Sequence, residues 1–251
     1  MRRFQGNPTL FILIMILLYE GPIRALLYSG PSGLLDWIMD TVLILPAIVV
    51  GLSFHEFGHA KVAQLCGDNT PVYQGRVTLD PRAHIDPFGL ISLVFIHFGW
   101  GKPVMINPLN FRERRRDSIL VGLAGVTMNL IVAVAAGFIL KILTTAASGL
   151  MTTSVGTAIG YVIVEIVIIN ISLMLFNLLP VPPLDGFGVI TDIFNLYNTR
   201  FYSFVRQYSF MILMFMILLN IPSMLISRPM VAIVNFILTR LCGVSNWWYF
   251  L

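Results

Sequence analysis

Apolar runs of roughly bilayer length alternate with short polar segments along this chain. Six stand out, at about residues 8–27, 34–65, 118–143, 156–179, 205–226 and 229–242. A helix needs about 20 mostly apolar residues to cross ~30 Å of hydrocarbon, so each run predicts a transmembrane helix. The first is interrupted by Glu20 and Pro22, and the last is short enough to lie tilted or partly in the interface. No internal repeat stands out. Between the second and third runs the pattern changes. Residues 70–81 alternate and carry turn residues, which predicts a short β-hairpin. Residues 88–100 are apolar but too short to cross simply, which predicts a re-entrant segment, sustainable only where protein or a wet cavity surrounds its backbone. Residues 101–108 read as extended or irregular. Two readings of the whole 69–111 segment stay open: a lip whose strand edge pairs with an unwound substrate, or an ordinary structured loop. The expected fold is an all-α polytopic membrane protein of about six transmembrane helices, with a small β-hairpin/re-entrant segment after the second.

Composition agrees with this pattern. Of 251 residues, 57% are hydrophobic and only 11% charged, whereas about a quarter of residues in soluble proteins are charged. Spans and short loops use up the length and leave no room for a sizeable soluble domain. The net charge of +4 does not point to nucleic acid, because the basic residues sit between apolar runs and form no groove with interleaved aromatics. They set orientation instead. With six alternating spans and the N-terminus inside, 13 of the 16 lysines and arginines fall on the cytoplasmic side, including Arg112, Arg114, Arg115 and Arg116. Both termini are therefore expected in the cytoplasm. Met1-Arg2-Arg3 followed by an apolar stretch lacks a small-residue cleavage site and reads as an uncleaved signal anchor. Cys66 and Cys242 make neither a metal spacing nor a disulfide framework.

The chemistry concentrates in the second run, which contains Ser53-Phe54-His55-Glu56-Phe57-Gly58-His59, an H-E-x-x-H pattern. On a helix His55 and His59 lie one turn apart on one face, so both imidazoles reach one metal ion, usually zinc. Glu56 projects nearby and supplies a carboxylate able to take a proton from water. Ionisable residues inside a membrane are costly and by default functional. On the topology above, the pair lies in the membrane but nearer its cytoplasmic face. Catalytic zinc needs a third protein ligand. The candidates are His84, His97 and Asp185. Asp185 is favoured because the fourth run returns to the same side and ends in Pro180-Val181-Pro182-Pro183-Leu184-Asp185-Gly186, which stops the helix.

These motifs carry a resemblance. H-E-F-G-H in an apolar helix, followed by N-L-L-P-V-P-P-L-D-G, resembles the site-2 protease family of intramembrane metalloproteases. The blocks at 75–81, 84–89, 101–104 and 107–116 are similar to its compact prokaryotic branch, and the resemblance spans about residues 45–195. It implies that His55, His59 and Asp185 bind one zinc ion, that Glu56 activates water, and that the substrate is a peptide bond within or beside a transmembrane helix. It divides the chain into an N-terminal span (1–33), a metalloprotease core (34–195) and C-terminal spans (196–251). The family's G-P-x-x-N motif reads Gly125-Val126-Thr127-Met128-Asn129 here, with valine in place of proline. Asn129 and Asn177 are candidates for holding substrate backbone or the developing oxyanion, with interhelical hydrogen bonding as the equal alternative. The expected setting is the plasma membrane of a prokaryote. Expected partners are a transmembrane-helix substrate and the bilayer, with a regulatory membrane protein or a second copy left open. Two rival readings are an inactive adaptor that binds membrane helices and a metal or proton transporter. The latter usually shows repeated halves, and none is visible.

Overall fold

The computed structural model describes residues 19–96 and 101–251. The first expected span lies largely outside these residues, as does His97. Among the described residues the fold is all-helical, with no strand. A π-helical turn, Tyr19–Ile23, leads into α1 (Arg24–Leu65). Then come α2 (Pro87–Ile96), α3 (Arg114–Ala146), α4 (Ser154–Asn177), α5 (Asp185–Phe194), α6 (Arg200–Gln207), α7 (Ser209–Leu218) and α8 (Ile221–Asn235). A π-helical turn, Phe236–Leu241, continues α8. Among the described residues four helical stretches are long and apolar enough to cross a membrane, Gly21–Leu65, Arg114–Ala146, Ser154–Asn177 and Ile221–Leu241, or five if the bent pair α6–α7 counts as one span. The protein is an integral membrane protein.

α1 is bent at Gly30, whose φ of 68° no residue with a Cβ adopts cheaply. Pro31 follows and disfavours helical geometry at the residue before it. Beyond this bend α1 runs unbroken through the H-E-x-x-H pattern. α3 crosses it closely because both faces carry small residues. A Cβ on Gly58 would lie 2.8 Å from the Ala124 carbonyl oxygen. His55 pairs with Asn129 while His59 pairs with Val121, so α3 runs antiparallel to α1. Asn170 reaches Asn129, and Leu173 meets Gly51. α4 thus completes a three-helix layer. Ala133 and Leu140 of α3, Val164, Val167 and Ile171 of α4, and Leu238 beyond α8 fill the apolar core.

The hairpin expectation is corrected, and two others take a more specific form. The hairpin at 70–81 does not form. Pro71 and Pro81 instead open single helical turns, Thr70–Tyr73 and Pro81–His84. A proline at the first helical position loses no hydrogen bond and has φ preset for the turn. Asp80 caps the second turn, accepting from the Arg82 N–H at 3.0 Å. The one β feature there is an isolated antiparallel bridge, Ile85 to Gly101. Secondly, residues 88–96 of the expected re-entrant segment belong to the ten-residue helix α2, and its remainder, 97–100, lies outside the described residues. Thirdly, the expected fifth span, 205–226, is not one helix. α6 and α7 meet at 65°, and Asn220, at φ 56°, ends the second bend before α8 begins. Asn tolerates that left-handed conformation better than most residues. α8 consequently starts eight residues before Pro229, which it carries in its interior.

The described parts of the 66–113 connection are nonetheless tied together by two buried charges. Asp68 accepts from Thr70 N (3.0 Å), Thr70 Oγ1 (2.5 Å), Asn107 N (2.8 Å) and Asn110 Nδ2 (2.8 Å). Burial alone raises its carboxyl pKa, and these donors more than reverse that, leaving it below the usual range. Arg76 donates to the carbonyls of Ala83, Lys102 (3.3 Å) and Pro103 (3.2 Å). The connection is thereby folded against the end of α1.

Candidate metal centre

α1 places His55 and His59 on its buried face, 6% and 7% exposed. Their Nε2 atoms stand 3.1 Å apart. Asp185, the first residue of α5, brings Oδ2 to 3.2 Å from each. Ligands about 2.0–2.1 Å from a tetrahedral zinc stand ~3.3 Å from one another, so this triangle has the size of three zinc ligands. Among the described residues it is the single cluster of metal-ligating groups of this kind.

Hydrogen bonding fixes which nitrogens carry protons. The Val121 carbonyl only accepts, so His59 donates through Nδ1–H, at 2.7 Å. Asn129 donates both Nδ2 protons, to the Gly51 carbonyl (3.1 Å) and to Asn170 Oδ1 (2.9 Å). Its Oδ1 must then accept from His55 Nδ1–H, at 2.7 Å. Asn170 is oriented in turn by donating to the Ile166 carbonyl at 2.8 Å. Both imidazoles therefore direct an Nε2 lone pair at Asp185. Asp185 Oδ2 is itself buried without a hydrogen-bond donor. Three acceptors this close, with no proton between them, are satisfied by a cation. The residues fit a zinc ion on donor chemistry, spacing and orphaned acceptor alike.

Two glycines make the triangle sterically possible. A Cβ on Gly125 would stand 2.4 Å from His59 Nε2 and 2.6 Å from His55 Cε1. A Cβ on Gly186 would stand 2.4 Å from the Leu178 carbonyl oxygen, so only glycine lets the chain fold back after α4 and present Asp185.

Glu56 lies beside the triangle rather than in it. Its Oε2 accepts from the Val104 N–H at 3.0 Å, so the 101–104 segment orients the carboxylate. The Lys102 N–H is tied to the His84 carbonyl at 2.7 Å, and Arg76 holds the carbonyls of Lys102 and Pro103.

These positions allow a family comparison. The profile of peptidase family M50 matches residues 43–220, well over half of the chain and all of the triangle. The chain belongs to peptidase family M50. It is 38% identical over 163 residues to "Putative zinc metalloprotease YwhC" of Bacillus subtilis, covering 65% of this chain and 71% of that one. It is 31% identical over 155 residues to "Putative zinc metalloprotease Rip2" of Mycobacterium tuberculosis, covering 59% and 56%. It is 25% identical over 214 residues to the protein of that name from Mycolicibacterium smegmatis, covering 83% and 79%. No solved structure matches significantly.

Within this M50 protease the remaining candidates sort by position. Asn129 is wholly buried, and its amide is committed to His55, Gly51 and Asn170. Contact with substrate would require breaking those bonds. Asn177, at the end of α4, donates to the Leu173 carbonyl of its own helix at 3.0 Å. His84 is buried in the connecting loop, paired with the Thr78 carbonyl at 2.7 Å and apart from the metal triangle. Val126 packs in the core, and α3 runs unbroken past it, so the missing proline costs no ligand geometry. Sequence reasoning missed Asn170, Gly125 and Val104. A lone asparagine inside the apolar 156–179 run was a signal for the first. Gly125 and Val104 lie in motifs already singled out, but their roles depend on helix register and loop closure.

Proposed function

We propose that this protein is a zinc-dependent intramembrane endopeptidase that hydrolyses peptide bonds within or next to transmembrane helices of other membrane proteins. The observation that carries the proposal is the His55–His59–Asp185 triangle, with Glu56 beside it, set in helices apolar enough to cross a bilayer. His55 Nε2, His59 Nε2 and Asp185 Oδ2 would hold one zinc ion. When bound, zinc supplies Lewis acidity, which polarises an amide carbonyl and acidifies water near neutral pH. Glu56, steadied by the Val104 N–H, takes the proton from the attacking water and returns it to the leaving amine nitrogen. Asn129 keeps His55 in the tautomer that frees Nε2, and the Val121 carbonyl does the same for His59. A helical substrate shields its amides with its own hydrogen bonds, so it unwinds locally before cleavage. Residues that weaken helices should therefore mark cleavage sites. Asn177, beside the turn that presents Asp185, keeps its Oδ1 and one N–H beyond its bond to Leu173 and is placed to meet the unwound backbone.

His59 lies six residues before the end of α1, roughly 9 Å along its axis. Arg112, Arg114, Arg115 and Arg116 cluster at that end, which the positive-inside tendency assigns to the cytoplasm of a prokaryotic cell. The test is cleavage of a transmembrane reporter by purified protein, with the cut mapped by mass spectrometry. The proposal expects a cut inside the apolar segment, abolished by Glu56→Gln. Cleavage confined to soluble loops would defeat the intramembrane reading. Tight binding of reporter helices without any cleavage would favour the adaptor.

A further inference from the structure

The bent pair α6–α7 has both ends at the same end of the bundle. α5 leaves the metal triangle along α3. Val189 meets Gly122, and Arg115 Nε donates to the Asp192 carbonyl at 2.9 Å. Arg115 is the second residue of α3, so the chain has reached that helix's start by Asp192. α8 departs from this same level. Ser172 Oγ donates to Met230 Sδ at 3.0 Å. Ser172 lies five residues before the end of α4, so Ile221, nine residues before Met230, stands about 6 Å beyond that end. From there the chain runs away from the metal triangle. Ile237 and Cys242 pack on Gly137, and Phe250 packs on Gly160 near the opposite end of α4. A pair that crossed the membrane would deliver Ile221 to that opposite end.

α6 divides into three sectors. Tyr202 and Val205 face the protein. Tyr202 stacks on Phe187 at 6.1 Å and meets Tyr197 edge-on at 5.2 Å. Phe201, Phe204 and Tyr208 form an exposed aromatic stripe, 62%, 58% and 38% accessible. Arg200, Ser203, Arg206 and Gln207 make the third, polar sector, all exposed. α7 carries no polar side chain after Ser209, and Leu213 is its one buried residue. A wholly apolar groove of about 460 Å³ follows the bend, lined by Phe204, Tyr208, Met211, Phe215, Leu219 and Ile221. Such a helix, aromatic on one side and cationic on another, suits the plane of a bilayer interface.

We infer that α6 and α7 form an anchor embedded in the leaflet at the metal-site end. The aromatic stripe and groove lie among acyl chains, and Arg200 and Arg206 meet the phosphates of anionic headgroups. The inference rests on the membrane reading and not on proteolysis. The anchor holds α5 through Tyr202 and Phe187, two residues from Asp185, and so fastens a metal ligand to the membrane surface. It also puts Phe250 across the membrane from the metal-site end, in place of the shared cytoplasmic side expected for both termini.

The test uses the full chain in sealed vesicles, with single cysteines at exposed Ser203, Phe204 or Ser245. Native Cys66 and Cys242 are buried. An impermeant maleimide should label Ser203→Cys and Ser245→Cys from opposite faces. Labelling from one face would overturn the inference, because α6–α7 would then cross. A nitroxide on Phe204→Cys should collide with oxygen rather than an aqueous nickel chelate severalfold more than one on Ser203→Cys. Equal ratios, or shielding that grows with protein density because a second copy covers the stripe, would overturn the lipid contact. Arg200→Gln with Arg206→Gln, or replacement of phosphatidylglycerol by phosphatidylcholine, should lower the Phe204 ratio. No change would overturn the headgroup contact.

Discussion

Gly125→Ala adds one methyl group to α3, aimed at the zinc ligands. The new carbon would stand 2.4 Å from His59 Nε2, 2.6 Å from His55 Cε1 and 2.8 Å from His55 Nδ1. Comfortable contact begins near ~3.5 Å, so about 1 Å of displacement is required. The rings cannot yield freely, because each is hydrogen-bonded to α3 itself, at Asn129 and at the Val121 carbonyl. α3 can retreat only by giving up the close crossing at Gly58, where a Cβ would stand 2.8 Å from the Ala124 carbonyl oxygen. Overpacking of this kind costs about 1–3 kcal/mol, and loss of one imidazole hydrogen bond adds about 1 kcal/mol. Taken from the loaded site, ~2–4 kcal/mol is roughly a 30- to 1,000-fold weaker zinc affinity. The assay is chelator competition for zinc in detergent, with circular dichroism to verify the fold. Gly188→Ala is the control: nothing lies within 4 Å of its Cβ position in α5, so zinc affinity should stay unchanged and helix stability rise by up to ~1 kcal/mol. A folded Gly125→Ala protein binding zinc within twofold of wild type would refute the steric argument.

Three further outcomes are expected. Asn129→Leu leaves His55 Nδ1–H and the Gly51 carbonyl without their partner and should weaken zinc binding about 10- to 100-fold. Asn170→Leu should weaken it less, and the double variant should be non-additive in the same competition assay. Asn177→Ala should lower turnover of a transmembrane reporter while leaving the zinc count unchanged; equal loss of both would make it a structural residue. The third concerns Asp68, whose depressed pKa stabilises the 66–113 connection above the unfolded carboxylate range. That contribution fades as pH falls through the lower folded value. Proteolytic nicking near the exposed Arg82 should thus accelerate below about pH 4, and Asp68→Asn should nick faster at neutral pH.

The metal triangle was largely legible because its determinants are local. Two histidines at helical spacing fix a face, and the proline-rich stop after α4 fixes where Asp185 turns back. The role of Gly125 was not legible even though its motif was, since what its missing Cβ spares appears only once α1 and α3 are in register. The hairpin expectation failed because alternation and turn residues were weighed over Pro71 and Pro81, whose missing N–H groups suit a helical start. The break in the expected fifth span was not legible because apolar content alone does not reveal a bend. Asn220 in the left-handed conformation and the bend after Gln207 divide one hydrophobic run among α6, α7 and α8.

The most direct test of the account is metal analysis of purified wild-type protein beside Glu56→Gln, combined with X-ray absorption at the zinc edge. The account predicts about one zinc per chain in both proteins, with nitrogen and oxygen ligands at ~2.0–2.1 Å and no sulfur. Reporter cleavage should occur in the wild type alone. A well-folded protein that retains no zinc, or one whose zinc is held by a cysteine sulfur, would contradict it.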